Sequence, residues 1–314
     1  MLISRMGSIE QIGSPDDKHL LDCNAPLWRY VPLKNLFFYL AGNILIPSVQ
    51  KLRQGDPFEG EFHSEPAWFN RAMHDCFGDN HEKAIHWIHR NLCSEDERET
   101  IDANRTIEHA GLAFRCYQER YLHFIRTTRF AWCWYHSALE SAAMWNTYGL
   151  QGAAVVSKVG MIKSMLERKG FRGAYRSMRY YRMSPSGQIW SFNPELSPDK
   201  ALLLRPYFLK RHEYRSEEEV RFVITDTRMR GRDFIVSDDV PPSHWIERVV
   251  LGPGLSSQQK DGLRRAVGAF DADIRCDASA LLHGSDEQER ERLAEMNKWL
   301  VSSDDGIPEF FKLT

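Results

Sequence analysis

A chain of 314 residues that is 42% hydrophobic and 27% charged can bury a core, and its composition is neither that of a disordered chain nor that of a membrane protein. Its formal net charge of −2 excludes whole-molecule steering of a polyanion, so any nucleotide or nucleic-acid site has to come from a local patch. Six cysteines are scattered without a C-x-x-C pair and read as reduced thiols rather than a disulfide framework.

Residues 1–26 read as a flexible lead-in. Gly, Ser, Pro and Asp interrupt them before any continuous apolar run, so neither a signal peptide nor a spanning helix is expected, and the cytoplasm is the expected location with no membrane partner. A single domain is expected over 27–314. Leu27 to Tyr30 suits a first strand, LKNLFFYLAG a helix closed by Gly42, and ILIPSV a short second strand. QGDPFEGEF is loop, and Ala67 to about Tyr121 carries apolar residues at helical spacing, a helical insert. FIRTTRFAWCWYHS returns to strand, ALESAAMWNTYG to a helix stopped by Gly149, and GAAVVS to strand.

Residues 158–182 then give a helix followed by strand, SPSGQIWSFNPELSPDK a loop, and SEEEVRFVI a strand. WIERVVLGPGLSSQQKDGLRRAVGAFDADIRCD has strand, turn, helix, strand order, and DEQERERLAEMNKWLV reads as an amphipathic C-terminal helix. The fold class is α+β: one mixed β-sheet core, open to a split, with the helical insert and the C-terminal helix.

Six patterns raise questions of chemistry. In SEEEVRFVI, alternation turns Val220, Phe222 and Ile224 to a core and Glu219, Arg221 and an early Glu217 to the other face; the plain alternative is a half-solvated strand with a surface ion pair. In LESAAMWNTYG, Ser141, Trp145 and Tyr148 share one helical face, which is either ordinary core or a flat surface for a ring such as nicotinamide. Cys76, His81, His86, His89 and Cys93 fit no compact zinc spacing, and Cys133, His136, Ser137 and Glu140 lie too close in sequence for a hydrolase triad. Lys163, Arg168, Lys169, Arg172, Arg176, Arg179 and Arg182, interleaved with Phe171, Tyr175, Tyr180 and Tyr181, form the one strongly basic aromatic stretch, either a solvated face or an RNA or phosphate surface. VLGPGLSSQQ reads as a structural turn into a helix, since no Walker or dinucleotide fingerprint is present.

WRY, DPFEG, ES-x-x-MW-x-x-Y, GAAVVS and KR-x-x-Y-x-x-E-x-E-x-R occur in this order, and together they resemble a widespread bacterial domain of unknown function over about residues 27–277. The order of Arg29 and Tyr30, then Ser137 or Ser141, then Glu217 and Glu219 is similar, more distantly, to ADP-ribosyltransferases. That resemblance implies a split β-core and an enzyme of bacterial toxin or antiphage-defence type that uses NAD as substrate, as a transferase or a glycohydrolase, with no metal. It implies that Glu219 stabilises an oxocarbenium-like transition state, Glu217 orients a protein or nucleic-acid acceptor, and Ser141 belongs to the catalytic set. Arg29 would hold a phosphate or ribose, Tyr30, Trp145 or Tyr148 would stack on nicotinamide, and Arg221 would keep Glu219 ionised. Two other readings remain open: a non-catalytic nucleotide- or RNA-binding sensor built on 163–182, and a nucleic-acid hydrolase that holds Mg²⁺ through Asp56, Glu59 and Glu217.

Overall fold

The structure, a computed structural model, describes residues 8–12, 20–56, 127–181 and 205–281, together with single positions between 83 and 126, all of them helical. Twelve strands are described: β1 (Ile9–Gln11), β2 (Pro26–Val31), β3 (Ile44–Pro47), β4 (Arg129–His136), β5 (Ala153–Lys158), β6 (Gly173–Ser177), β7 (Arg179–Tyr181), β8 (Leu209–Arg211), β9 (Glu219–Thr225), β10 (Phe234–Ser237), β11 (Arg248–Leu251) and β12 (Arg275–Ala278). The helices described along their whole length are α1 (Leu33–Leu40), α2 (Val49–Leu52), α3 (Ala142–Tyr148), α4 (Val159–Arg168) and α5 (Ser257–Phe270).

Eight strands form one mixed sheet in the order β1-β6-β9-β4-β2-β5-β11-β12, antiparallel through its middle and parallel at both edges. Strands β3 and β10 pair separately, as do β7 and β8. The α+β class and the single mixed sheet are therefore as the sequence indicates. None of the helices among the described residues is long and apolar enough to cross a membrane.

Alternation sorts the sheet's two faces. Leu27, Trp132, Trp134, Val155, Val220, Phe222 and Val249 join the main core, which α1, α4 and α5 cover through Leu36, Tyr39, Ile162, Leu166 and Val267. Trp28, Tyr30, Ala154, Val156 and Val250 face the other way, under Met144 and Trp145 of α3. Helix α3 is capped by the Ser141 side chain, which accepts from the Met144 N–H, and it ends where Gly149 takes a φ of 107°, open to glycine alone at low cost. Helix α5 starts on a capping box between Ser256 and Gln259, so LGPGLSS is a structural turn.

One seam of the sheet is incomplete. β2 pairs β5 over six residues and β4 pairs β9 over seven, but β2 and β4 share only Leu27 with His136 and Trp28 with Tyr135. Beyond Trp28 the two strands part. Arg29 stands in the opening, where its Nη1 donates to the Cys133 carbonyl and its Nε to the Tyr39 hydroxyl at 3.1 Å. The guanidinium thus supplies the donor that β2 no longer offers to β4. Further along, β4 is met by Ser48, bridged to Phe130.

Three expectations change. Within the stretch read as a lead-in, Ile9–Gln11 is a parallel edge strand on β6, fixed by the Ile9 N–H to Glu167 at 3.1 Å and by the Tyr175 hydroxyl to Gln11 at 3.2 Å. The strand read from FIRTTRFAWCWYHS begins only at Arg129, because Thr127 and Thr128 are helical and bond back through their hydroxyls to the Phe124 carbonyl. Glu217 is not on β9, as described below. The C-terminal helix, the loop at 184–200 and most of the 67–121 insert lie outside the described residues.

Candidate functional site

β9 carries Glu219 and Arg221 on the face away from the main core, both buried, at 3% and 0% exposure. Arg221 Nε donates to Glu219 Oε1 at 2.8 Å, and Arg221 Nη1 donates to the Tyr207 carbonyl at 2.8 Å. Lys210, from β8, places its Nζ 3.0 Å from Glu219 Oε2 and 2.5 Å from Glu217 Oε2. Glu217 closes the 3₁₀ turn His212–Glu217, and Glu218 follows in the left-handed region at φ 37° and ψ 46°. That reversal returns the Glu217 carboxylate to Lys210, where an extended chain would have carried it along the strand. The Glu219 N–H donates to the Tyr180 hydroxyl at 2.9 Å, which pins the start of β9.

The two carboxyls are driven apart. Burial alone would raise Glu219, but Arg221 and Lys210 outweigh it and bring the carboxyl down to about 2. Glu217 goes the other way: burial raises it above the ordinary value against the pull of Lys210. Burial would lower Lys210, yet Glu219 and Glu217 hold it above its ordinary value, so it stands as an ammonium. The Cys133 thiol is raised by burial and by Glu219 and stays protonated. Burial and neighbouring carboxylates push the Tyr148 hydroxyl up to about 12.

These groups line a cleft of about 330 Å³ at the opening between β2 and β4. Arg29, Cys133, Glu219 and Arg221 come from the strands, Tyr135, Tyr148 and Tyr214 supply rings, and Leu52, Gly55 and Asp56 close it from the α2 side. Asp56 pairs with Arg211 at 3.3 Å, Arg211 donates to the Tyr214 hydroxyl at 3.2 Å, and Lys210 lies 4.7 Å from the Tyr214 ring centre.

Of the residues assigned to the NAD-using reading, the cleft gathers Arg29, Tyr30, Tyr148, Glu217, Glu219 and Arg221. It does not gather Ser141 or Trp145. Ser141 is spent as the α3 cap, and Trp145, 1% exposed, donates from Nε1 to Glu140 at 2.9 Å. Tyr30 supports that helix: its hydroxyl accepts the Ser141 N–H at 2.8 Å and its ring meets Trp145 edge-on at 4.8 Å. Lys210, Tyr214 and Arg211 carried no role in the sequence reading, and Tyr180, Cys133 and Asp56 were considered only in other readings. For the first three the signal was there: Lys210, Arg211, Tyr214, Glu217, Glu219 and Arg221, the fixed positions of KR-x-x-Y-x-x-E-x-E-x-R, form one network, joined through the contact of Lys210 with the Tyr214 ring.

The basic aromatic stretch does not present one stripe. Arg176, Tyr175 and Tyr181 are buried at 1%, 3% and 4% exposure, Tyr180 serves Glu219, and Arg168 and Arg172 are exposed on different elements. Arg182 lies outside the described residues, as do Glu59 of the Mg²⁺ reading and Cys76, His81 and Cys93 of the histidine run. Asp56 and Glu217, the remaining carboxylates of the Mg²⁺ reading, are each paired to a cation. Cys133 faces the cleft while His136 falls on the opposite face of β4, which leaves no triad with Ser137, and Glu140 is bonded to Trp145.

No family model, curated protein or solved structure matches the chain.

Proposed function

We propose that the cleft cleaves the N-glycosidic bond of a nicotinamide nucleotide, with NAD as substrate, and passes the ribosyl group to water or to an acceptor. The observation that carries this reading is the pair of carboxylates on one Lys210 nitrogen, shifted in opposite directions from the ordinary carboxylate value, beside the exposed Tyr148 ring. Two acceptors on one nitrogen stand no more than about 5.5 Å apart, the close spacing of carboxylate pairs that work at an anomeric carbon. Departure of nicotinamide leaves positive charge on the ribose, and a carboxylate already fixed there stabilises that charge only as it develops.

The geometry favours a division of labour that differs from the one read in the sequence. Both Glu219 oxygens are engaged, one by Arg221 and one by Lys210. Glu217 Oε1 has no partner among the described residues, and its side chain is 23% exposed against 4% for Glu219. Glu217 is therefore the carboxylate that faces the ribose, and Glu219 is the buried counter-charge that holds Lys210 beneath it. Tyr148, at the mouth and 44% exposed, stacks on the leaving base. Arg29 offers a ribose hydroxyl the one guanidinium nitrogen, Nη2, that no described residue takes.

The test is nicotinamide release from NAD by the purified chain and by Glu217→Gln, with cell lysate added as a source of acceptors. Loss of about 10²–10³ in rate with an unchanged melt supports the assignment. Failure of the unaltered protein to release nicotinamide or to bind NAD at millimolar concentration overturns it.

A further inference from the structure

The geometry points to a site built for the nicotinamide riboside half of the substrate, with the second nucleotide left outside; the inference rests on the glycosidic-cleavage reading above. Three features of the cleft carry it. The first is size: about 330 Å³ lies at the small end of the range for ligand pockets, enough to enclose a nucleoside.

The second is charge. Among the described lining residues, Arg29, Lys210 and Arg221 are matched by Asp56, Glu217 and Glu219. Lys210 and Arg221 are already committed to those carboxylates at 2.5–3.0 Å, and Arg29 spends Nε and Nη1 on Tyr39 and Cys133. A diphosphate requires a surplus of cations or a row of free backbone N–H groups, such as a long helix presents at its N-terminus. Helix α3, which lends Met144 and Tyr148 to the cleft, has its first turn capped by Ser141, and that serine does not line the cleft. A pyridinium riboside is cationic and carries no phosphate, and it suits a pocket whose reachable carboxylate, Glu217, retains an oxygen without a partner among the described residues.

The third is the placement of rings. Tyr148, Tyr135 and Tyr214 line the same small volume as the two carboxylates, so base and ribose are served together, while the other lining aromatics, Trp28, Tyr30 and Trp134, are buried at 3%, 5% and 1% exposure and offer adenine no open face.

The experiment compares NAD, nicotinamide mononucleotide and nicotinamide riboside on the full chain. Binding is followed by saturation-transfer NMR, and nicotinamide release is measured for the unaltered protein and for Glu217→Gln. The expected result is that kcat/KM for the riboside falls within about tenfold of that for NAD, that transfer is strongest to the pyridine and ribose protons in all three ligands, and that Glu217→Gln abolishes release from each. NAD cleaved at least about 100-fold better than the riboside, with strong transfer to adenine protons, overturns the inference and leaves the glycosidic-cleavage reading standing. If none of the three binds or is cleaved, that reading fails, and the inference fails with it.

Discussion

Arg29 and Cys133 are joined by a hydrogen bond from a guanidinium to a main-chain carbonyl across the place where β2 and β4 stop pairing. A side chain thus does a backbone's work, and does so from a fixed fork, since Nε is held by Tyr39 and the guanidinium lies 5.9 Å from the Trp132 ring centre. Lysine cannot reproduce that fork. Arg29→Lys is expected to cost about 2–3 kcal/mol in urea unfolding, as the loss of a charge-assisted bond to a part-buried acceptor. A cost below about 0.5 kcal/mol would mean that the opening holds itself apart without the arginine.

The two glutamates should behave differently when neutralised. Glu219→Gln leaves the buried Arg221 without its counter-charge and is expected to destabilise by about 3–5 kcal/mol. Glu217→Gln removes a part-exposed charge that Lys210 can do without and is expected to cost less than about 1 kcal/mol. Thermal melts of the two variants side by side check this. Equal losses would contradict the role of Glu219 as the buried anchor, and the small cost of Glu217→Gln is what makes it the cleaner probe of activity.

Acid titration should report the same asymmetry. Because the folded-state value of Glu219 is brought from 4.5 down to about 2, its stabilising contribution is present above about 4.5 and is lost as pH falls toward about 2. Glu217 is raised in the folded state, so its contribution has the opposite sign: it favours the fold below the ordinary carboxylate value and fades as pH rises through its raised value. Unfolding free energies measured at several pH values should therefore fall more steeply below pH about 4.5 in the unaltered protein than in Glu219→Gln. Parallel curves would show that the Arg221 and Lys210 contacts do not hold Glu219 ionised.

Tyr148 and Trp145 lie three residues apart on α3 and should separate cleanly. Tyr148→Ala is expected to raise KM for the nicotinamide substrate about tenfold with little change in melting temperature, the loss of one stacking surface. Trp145→Phe removes the indole donor to Glu140, which also accepts from the Ala280 N–H and the Ser279 hydroxyl, and is expected to cost about 1–2 kcal/mol of stability. Measuring KM and the melt for both variants decides; a KM effect from Trp145→Phe larger than that from Tyr148→Ala would reverse the assignment.

Much of this was legible in the sequence because it follows from short-range periodicity. The alternation in SEEEVRFVI put Val220, Phe222 and Ile224 in the core and Glu219 with Arg221 on the other face, as the structure has them. The same alternation misplaced Glu217, since nothing in S-E-E-E announces that Glu218 adopts a left-handed conformation that breaks the strand. Helical spacing put Ser141, Trp145 and Tyr148 on α3, but which of them meets a ligand depends on how β2 packs beneath the helix, a contact set 111 residues away in sequence by Tyr30 and Ser141. Lys210 went without a role because its task, bridging two carboxylates, exists only after the 3₁₀ turn folds back. The strand Ile9–Gln11 is three residues long, too short to show a period of its own.

The place of β9 in the sheet also sets an order of assembly. It is inserted between β4 and β6, both of which precede it in the chain, and it brings Glu219 and Arg221 with it. While the protein is being synthesised, Tyr135, Tyr148 and the Arg29 clasp leave the ribosome well before either carboxylate of the pair. A chain that ends before Glu217 lacks both carboxylates together with Val220, Phe222 and Ile224, the core residues of β9, so the paired charges and the centre of the sheet are completed in one step.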